Sequence, residues 1–222
     1  MRKTRSSARV AVLFLIGLVF PLVLAGCQAQ DSKEKSVSTP AAAEKPARLP
    51  SDRVVAVIVT DKGRIVLEFL TQDAPKAVEN FRTLAEDGFY DRTTFHRIKA
   101  GQFIQGGDPL SRDTNPWNDG QGNSGKFLKA EYSKHKFTRG SVAMTRLADA
   151  PDSSSCQFFI TLVRGPQMDG EYTAFARVVE GIEIAEAISK VRTNSDPRAE
   201  DRPAAPQKIK SISIEPKSVA SR

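Results

Sequence analysis

Histidine, cysteine and tryptophan are scarce in this chain of 222 residues, which has two, two and one of them. Two histidines, His96 and His135, exclude most histidine-based metal sites. With two cysteines, Cys27 and Cys156, no disulfide framework can be built. Gly106-Gly107-Asp108 lacks the spacing and the lysine of a phosphate loop. No basic block is interleaved with aromatics, so no nucleic-acid partner is expected. There is no internal repeat, and no β-α-β rhythm that would build a parallel sheet. Ser153, Ser154, Ser155, Cys156 and the histidines could supply a hydrolase with parts. No nucleophile-elbow pattern is present, however, and nothing places a base beside a nucleophile.

What is present begins with a leader. Arg2, Lys3, Arg5 and Arg9 form a basic start, and Val10 to Leu24 is an apolar run broken by Gly17 and Pro21. The run is short for a membrane span, which needs about 20 apolar residues, so residues 1–26 read as a removable export signal rather than a retained anchor. Leu24-Ala25-Gly26-Cys27 resembles the lipobox of bacterial lipoproteins, whose cysteine is acylated and becomes the first mature residue. The resemblance implies a lipid anchor at Cys27, which is stable when more than one acyl chain is attached. Cys156 is then left without a partner in the chain. Gln28 follows where an aspartate would favour the inner membrane, which leans toward the outer membrane of a cell envelope. The formal charge is +7, and removing the four basic residues of the leader leaves +3.

Residues 27–52 are expected to be the lipidated cysteine and a linker. Beyond Cys27 the stretch has no aromatics, three prolines and many small or charged residues, too little to bury against its ordering entropy. As a flexible coil, about 25 residues would span on the order of 25–30 Å. The folded domain is expected over 53–217, with a tail at 218–222. A domain of roughly 165 residues can bury about 70% of its unfolded surface, enough for one core.

Within it, Val54–Thr60 and Arg64–Leu70 read as a hairpin around Asp61-Lys62-Gly63. A helix follows, with Asp73 as its N-cap, Pro75 in the first turn, an apolar stripe at Ala77, Val78, Phe81, Leu84 and Ala85, and a stop at Gly88. Further strands are expected at Ser141–Thr145, Cys156–Leu162, Thr173–Val179 and Lys208–Ile214, and a second helix at Ile182–Ser189. Residues 108–126 form a long Gly, Pro, Asn and Asp-rich loop carrying Trp117, which either shapes a site rim or packs the loop down. About eight short strands and two helices fit an antiparallel sheet with its edges closed.

The stretch Phe95–Asp108 is the chemical centre. It gathers a cation (Arg97), an amide (Gln105) and apolar groups (Phe95, Phe103, Ile104), on two short strands flanking a bend at Lys99–Gln102. Such a set can hold a peptide and stress one of its bonds without proton transfer. Phe95-His96-Arg97-Ile98 followed by Gln105-Gly106-Gly107-Asp108 resembles the signature of cyclophilins, which are peptidyl-prolyl cis-trans isomerases. Val78–Leu84, Arg139–Met144, Ser155–Ile160 and Met168–Phe175 match further blocks in order, so the resemblance runs from Val54 to Pro216.

The resemblance implies a mainly β fold, a closed eight-stranded antiparallel barrel capped by two α-helices, working as a monomer without a cofactor. It implies that Arg97 is the catalytic arginine and that Gln105 orients it and contacts the substrate backbone. Phe103, Phe159 and Met168 would line a proline pocket, Thr145 and Arg146 would hold the substrate backbone, and Tyr172 would stand where many eukaryotic members have histidine. Gln102 occupies the usual place of a pocket phenylalanine. Either Phe103 supplies the ring and Gln102 points outward, or Gln102 makes the pocket floor more polar. Gln167 replaces the tryptophan of many cyclosporin-sensitive members, which implies weak cyclosporin binding. The expected substrates are proline-containing, unfolded or flexible exported polypeptides. The alternative is a non-catalytic peptide-binding or chaperone lipoprotein that uses the same groove.

Overall fold

Strand alternation and one apolar helix stripe explain most of the architecture in a computed structural model that describes residues 48–194 and 201–217. The expected leader, Cys27, the linker up to residue 47 and the tail at 218–222 lie outside the described residues. The strands are β1 (Val54–Thr60), β2 (Arg64–Phe69), β3 (Arg97–Lys99), β4 (Phe103–Gly106), β5 (Ser141–Met144), β6 (Phe158–Thr161), β7 (Ala174–Glu180) and β8 (Ile209–Pro216). The helices are α1 (Pro75–Glu86) and α2 (Ile182–Ser189). All eight strands join one antiparallel sheet in the order β3-β4-β6-β5-β7-β2-β1-β8.

The sheet curls, but it is not the closed barrel that the resemblance implied. β3 and β8 are its two edges and share no ladder. They approach through a single antiparallel bridge, Thr94 to Lys208, flanked by backbone bonds from Phe95 N to Gln207 O (2.8 Å) and from Ile209 N to Thr93 O (2.8 Å). β3 is three residues long, and its own Ile98 N is taken by Asp201 O at 2.7 Å. Too little of its edge is left to pair along β8.

The main core fills the inside of the curl. Ile58, Leu67, Ile98, Ile104, Met144, Phe158, Ile160 and Phe175 all belong to it. β1 reads as an unbroken apolar run because both its faces are covered: Ala56 and Ile58 enter the main core, while Val55 and Val57 pack with Val66 in a second cluster. From α1, Phe81 is inserted among Tyr90, Phe158 and Phe175, at ring-centroid distances of 5.0, 5.4 and 4.9 Å. α2 adds Ala185 and Ile188 to the same core.

The ends of α1 differ in how local they are. At its C-terminus Gly88 adopts φ +68°, and Gly88 N and Phe89 N return to Ala85 O (3.0 Å) and Leu84 O (2.9 Å), the left-handed stop expected of that glycine. At its N-terminus the expected Asp73 cap is replaced. Ala74 occupies the cap position and offers no side-chain bond. The Glu131 carboxylate reaches in instead, accepting from Lys76 N at 3.1 Å and Ala77 N at 2.8 Å. A remote carboxylate thus answers both the unpaired N–H groups and the positive end of the helix dipole. β6 is shorter than its apolar run suggests, since Cys156 O is taken by the Tyr90 hydroxyl at 3.0 Å. No helix among the described residues is long and apolar enough to cross a membrane.

Candidate active site

Alternation along four neighbouring strands builds the site on the outer face of the curl. Ile98, Ile104 and Phe158 point into the main core, which sends Arg97, Phe103, Gln105 and Phe159 to the other side. The register places Arg97 opposite Gln105, Gln105 opposite Phe159 and Phe159 opposite Ala143, one row across β3, β4, β6 and β5. A one-residue slip would turn the guanidinium into the core and send Ile98, Ile104 and Phe158 out of it. The signature glycines allow this. Gly107 has φ +86°, and a Cβ there would lie 2.8 Å from Cys156 O and 2.9 Å from the Phe158 ring.

Over the row opens a groove of about 550 Å³. Phe103, Phe159, Met168 and Tyr172 give it an apolar floor. The Phe159 ring meets Phe103 edge-on at 6.4 Å and Tyr172 edge-on at 5.3 Å, and it stacks on Phe137 at 6.3 Å. Phe137, buried behind the floor, has no local mark in the sequence that would have found it. Gly120, Gln121, Gly122 and Asn123 make one wall, and Phe127 and Leu147 stand exposed at the rim.

Arg97 lines the groove with its side chain 49% exposed. Its Nε and Nη2 both lie 3.1 Å from Asp201 Oδ2, and its guanidinium sits 5.0 Å from the Phe103 ring centroid. Gln105 is the cross-strand neighbour of Arg97, but its side chain makes no hydrogen bond to the guanidinium. Its Nε2 instead donates to Gln157 Oε1 at 3.0 Å and lies 3.4 Å from His96 Nε2. The charged group that holds the Arg97 side chain in this structure is the Asp201 carboxylate. Gln157 continues the chain, donating to Gly120 O at 2.9 Å and Gly122 O at 2.8 Å, and so fastens the wall to the floor.

Thr145 and Arg146 follow β5 and line the groove. Thr145 N donates to Gln157 O at 3.0 Å. The Arg146 side chain is committed within the protein: it donates to Glu171 O, Leu147 O, Ala148 O and Glu171 Oε2, and lies 5.0 Å over the Tyr172 ring. Gln102 does not line the groove. It is exposed at the bend, with its backbone bonded to Lys99 O and Leu162 N, and Phe103 takes the place on the floor. Gln167 is exposed on a 3-10 turn, Pro166–Met168. Trp117 is half exposed and outside the groove; its carbonyl accepts from Gln121 of the wall at 3.0 Å.

The groups that a hydrolase would need are arranged otherwise. Cys156 is fully buried, and burial pushes its thiol up to about 12. Burial also lowers His96 to about 4, only partly opposed by the nearby Asp108 carboxylate, so its ring is neutral near pH 7. His135 bonds Ser141 Oγ at 3.1 Å. Asp108 is fully buried as a loop clasp, accepting from Leu110 N at 2.8 Å and from Gly120 N. Asp119, under the same wall, is raised to about 6 because desolvation outweighs the Arg202 guanidinium 2.6 Å away. No cluster of His, Cys, Asp and Glu that could hold a metal occurs among the described residues.

Comparison with known proteins places this geometry. Residues 54–214 match the family model described as cyclophilin type peptidyl-prolyl cis-trans isomerase/CLD. The chain is 37% identical over 150 residues to the peptidyl-prolyl cis-trans isomerase ppi1 of Schizosaccharomyces pombe, covering 68% of this chain and 92% of that protein. It is 39% identical over 139 residues to a peptidyl-prolyl cis-trans isomerase of Helicobacter pylori, covering 61% and 80%. A crystal structure of a Cryptosporidium parvum cyclophilin type isomerase, obtained in the presence of the dipeptide Ala-Pro, superposes with a TM-score of 0.65 at 30% identity, covering 72% and 98%. The chain belongs to the cyclophilin-type peptidyl-prolyl cis-trans isomerases. Its activity is the isomerisation of peptide bonds that precede proline.

Proposed function

We propose that the groove binds proline-containing segments of unfolded or flexible polypeptides and that Arg97 drives the isomerisation. The observation that carries this reading is a guanidinium at the edge of an aromatic floor, with Nη1 left without a partner among the described residues. An X–Pro bond turns slowly because resonance stiffens the C–N bond. In the twisted state the prolyl nitrogen regains its lone pair and can accept a hydrogen bond. Arg97 would donate to that nitrogen while Phe103, Phe159 and Met168 enclose the ring and exclude water, which strengthens the interaction. A millionfold acceleration corresponds to about 8 kcal/mol. Gln105, whose NH2 is spent on Gln157, would offer its Oε1 to a substrate N–H. Thr145 and the backbone at Arg146 would align the substrate chain, and Tyr172 would close the end of the pocket.

NMR exchange on an Ala-Pro peptide tests this assignment. Arg97→Ala is expected to lower the exchange rate by about 100-fold. Exchange unchanged in that variant would remove Arg97 from the mechanism.

The cellular setting is proposed from the sequence. Export, acylation at Cys27 and a linker to residue 52 would tether the isomerase to a bacterial envelope membrane, facing the periplasm, where newly exported chains fold. Gln28 favours the outer membrane. The enzyme would act as a monomer.

A further inference from the structure

We infer that Asp201 is a positioning residue for Arg97, and that the Asp201–Arg202 dipeptide fixes the guanidinium and the Gly120–Asn123 wall to one anchor. The inference rests on the reading of Arg97 as the group that acts on the substrate.

The geometry is specific. One carboxylate oxygen of Asp201 engages both Nε and Nη2 of Arg97. The same residue accepts through its backbone carbonyl from Ile98 N at 2.7 Å, so the carboxylate is held by the strand that carries Arg97. The adjacent Arg202 turns to the other side. Its Nη2 lies 2.6 Å from Asp119 Oδ2 and its Nη1 donates to Pro116 O, in the loop that leads into the groove wall. Backbone bonds from Asn194 N to Arg202 O (2.8 Å) and from Ala204 N to Arg192 O (2.9 Å) tie Arg202 and Ala204 to the chain that leaves α2. A half-exposed arginine otherwise samples many rotamers. One hydrogen bond and one ion-pair contact to an anchored carboxylate, with the Phe103 ring below, reduce that freedom and leave Nη1 as the donor available to the groove. An ion pair this exposed contributes little to stability. Orientation of a reacting group, by contrast, weighs heavily on rate.

The test uses the full chain, with peptide exchange rate and peptide affinity measured separately by NMR. Asp201→Asn and Asp201→Ala are expected to slow exchange on bound peptide by about tenfold, with affinity changed less than about twofold and an unchanged melting temperature. In an Arg97→Ala background the Asp201→Ala substitution should have no further effect, because both act through one guanidinium. Additive losses, equal losses of rate and affinity, or a rate as fast as or faster than that of the wild type would each overturn the positioning role. Those outcomes are read only where Arg97→Ala itself is slow. A fully active Arg97→Ala would overturn the assignment of Arg97, and the inference with it.

Discussion

His96 and Asp119 lie beneath the same groove wall and answer burial in opposite directions. Burial disfavours the charged form of each, lowering the histidine to about 4 and raising the aspartate to about 6. Between about pH 4 and 6.5 the unfolded chain binds the His96 proton more tightly, so this residue makes stability rise with pH. Between about pH 4 and 6 the folded chain binds the Asp119 proton more tightly, so this one makes stability fall with pH. The two trends offset each other in the native protein. Asp119→Asn should therefore steepen the rise of unfolding free energy from pH 4 to 6.5, and His96→Gln should turn the slope downward relative to wild type. Urea titrations at several pH values measure both, and parallel slopes in the two variants would show that the groups do not titrate as their burial requires. At this scale the structure also separates Phe103 from Gln102. Phe103 occupies the floor, while Gln102 stays in water at the bend.

Helix α1 shows how an element can be legible in its body and illegible at one end. Its stripe and its Gly88 stop depend on residues within a few positions of each other. Its N-terminal cap comes from Glu131, 54 residues beyond Ala77. Glu131→Ala should lower the unfolding free energy by about 1 kcal/mol, the usual cost of a lost cap. Asp73→Ala should change it by less than about 0.5 kcal/mol, since Asp73 makes no cap bond. Chemical denaturation of the two variants decides between them, and equal losses would restore Asp73 as the cap. Strand positions were readable for the same local reason. The pair Phe158-Phe159 sends one ring to the core and the next to the groove, because successive side chains leave a strand on opposite faces.

On the scale of the whole molecule, the curl brings β3, β4, β5 and β6 side by side and places Asp201 against β3. The edges meet through one bridge and two flanking bonds, so the curl depends on its core more than on a continuous hydrogen-bonded ring. The proposed tether also belongs to this scale. Cys27→Ser in the full chain should move the protein from the membrane fraction to the soluble fraction while peptide exchange stays at the wild-type rate. Membrane association that persists in this variant would count against acylation at Cys27. The strands, the helix stripes and the signature from Phe95 to Asp108 were determined by the sequence alone, because each is a short-range period or spacing. The edge contact between Thr94 and Lys208, the Phe137 ring behind Phe159, the Gln157 link to the wall and the Asp201 carboxylate on Arg97 were decided only by the tertiary structure. Asp201 lies 104 residues from its partner. No local pattern links such positions, and only the folding of the sheet around its core brings them within reach of a hydrogen bond.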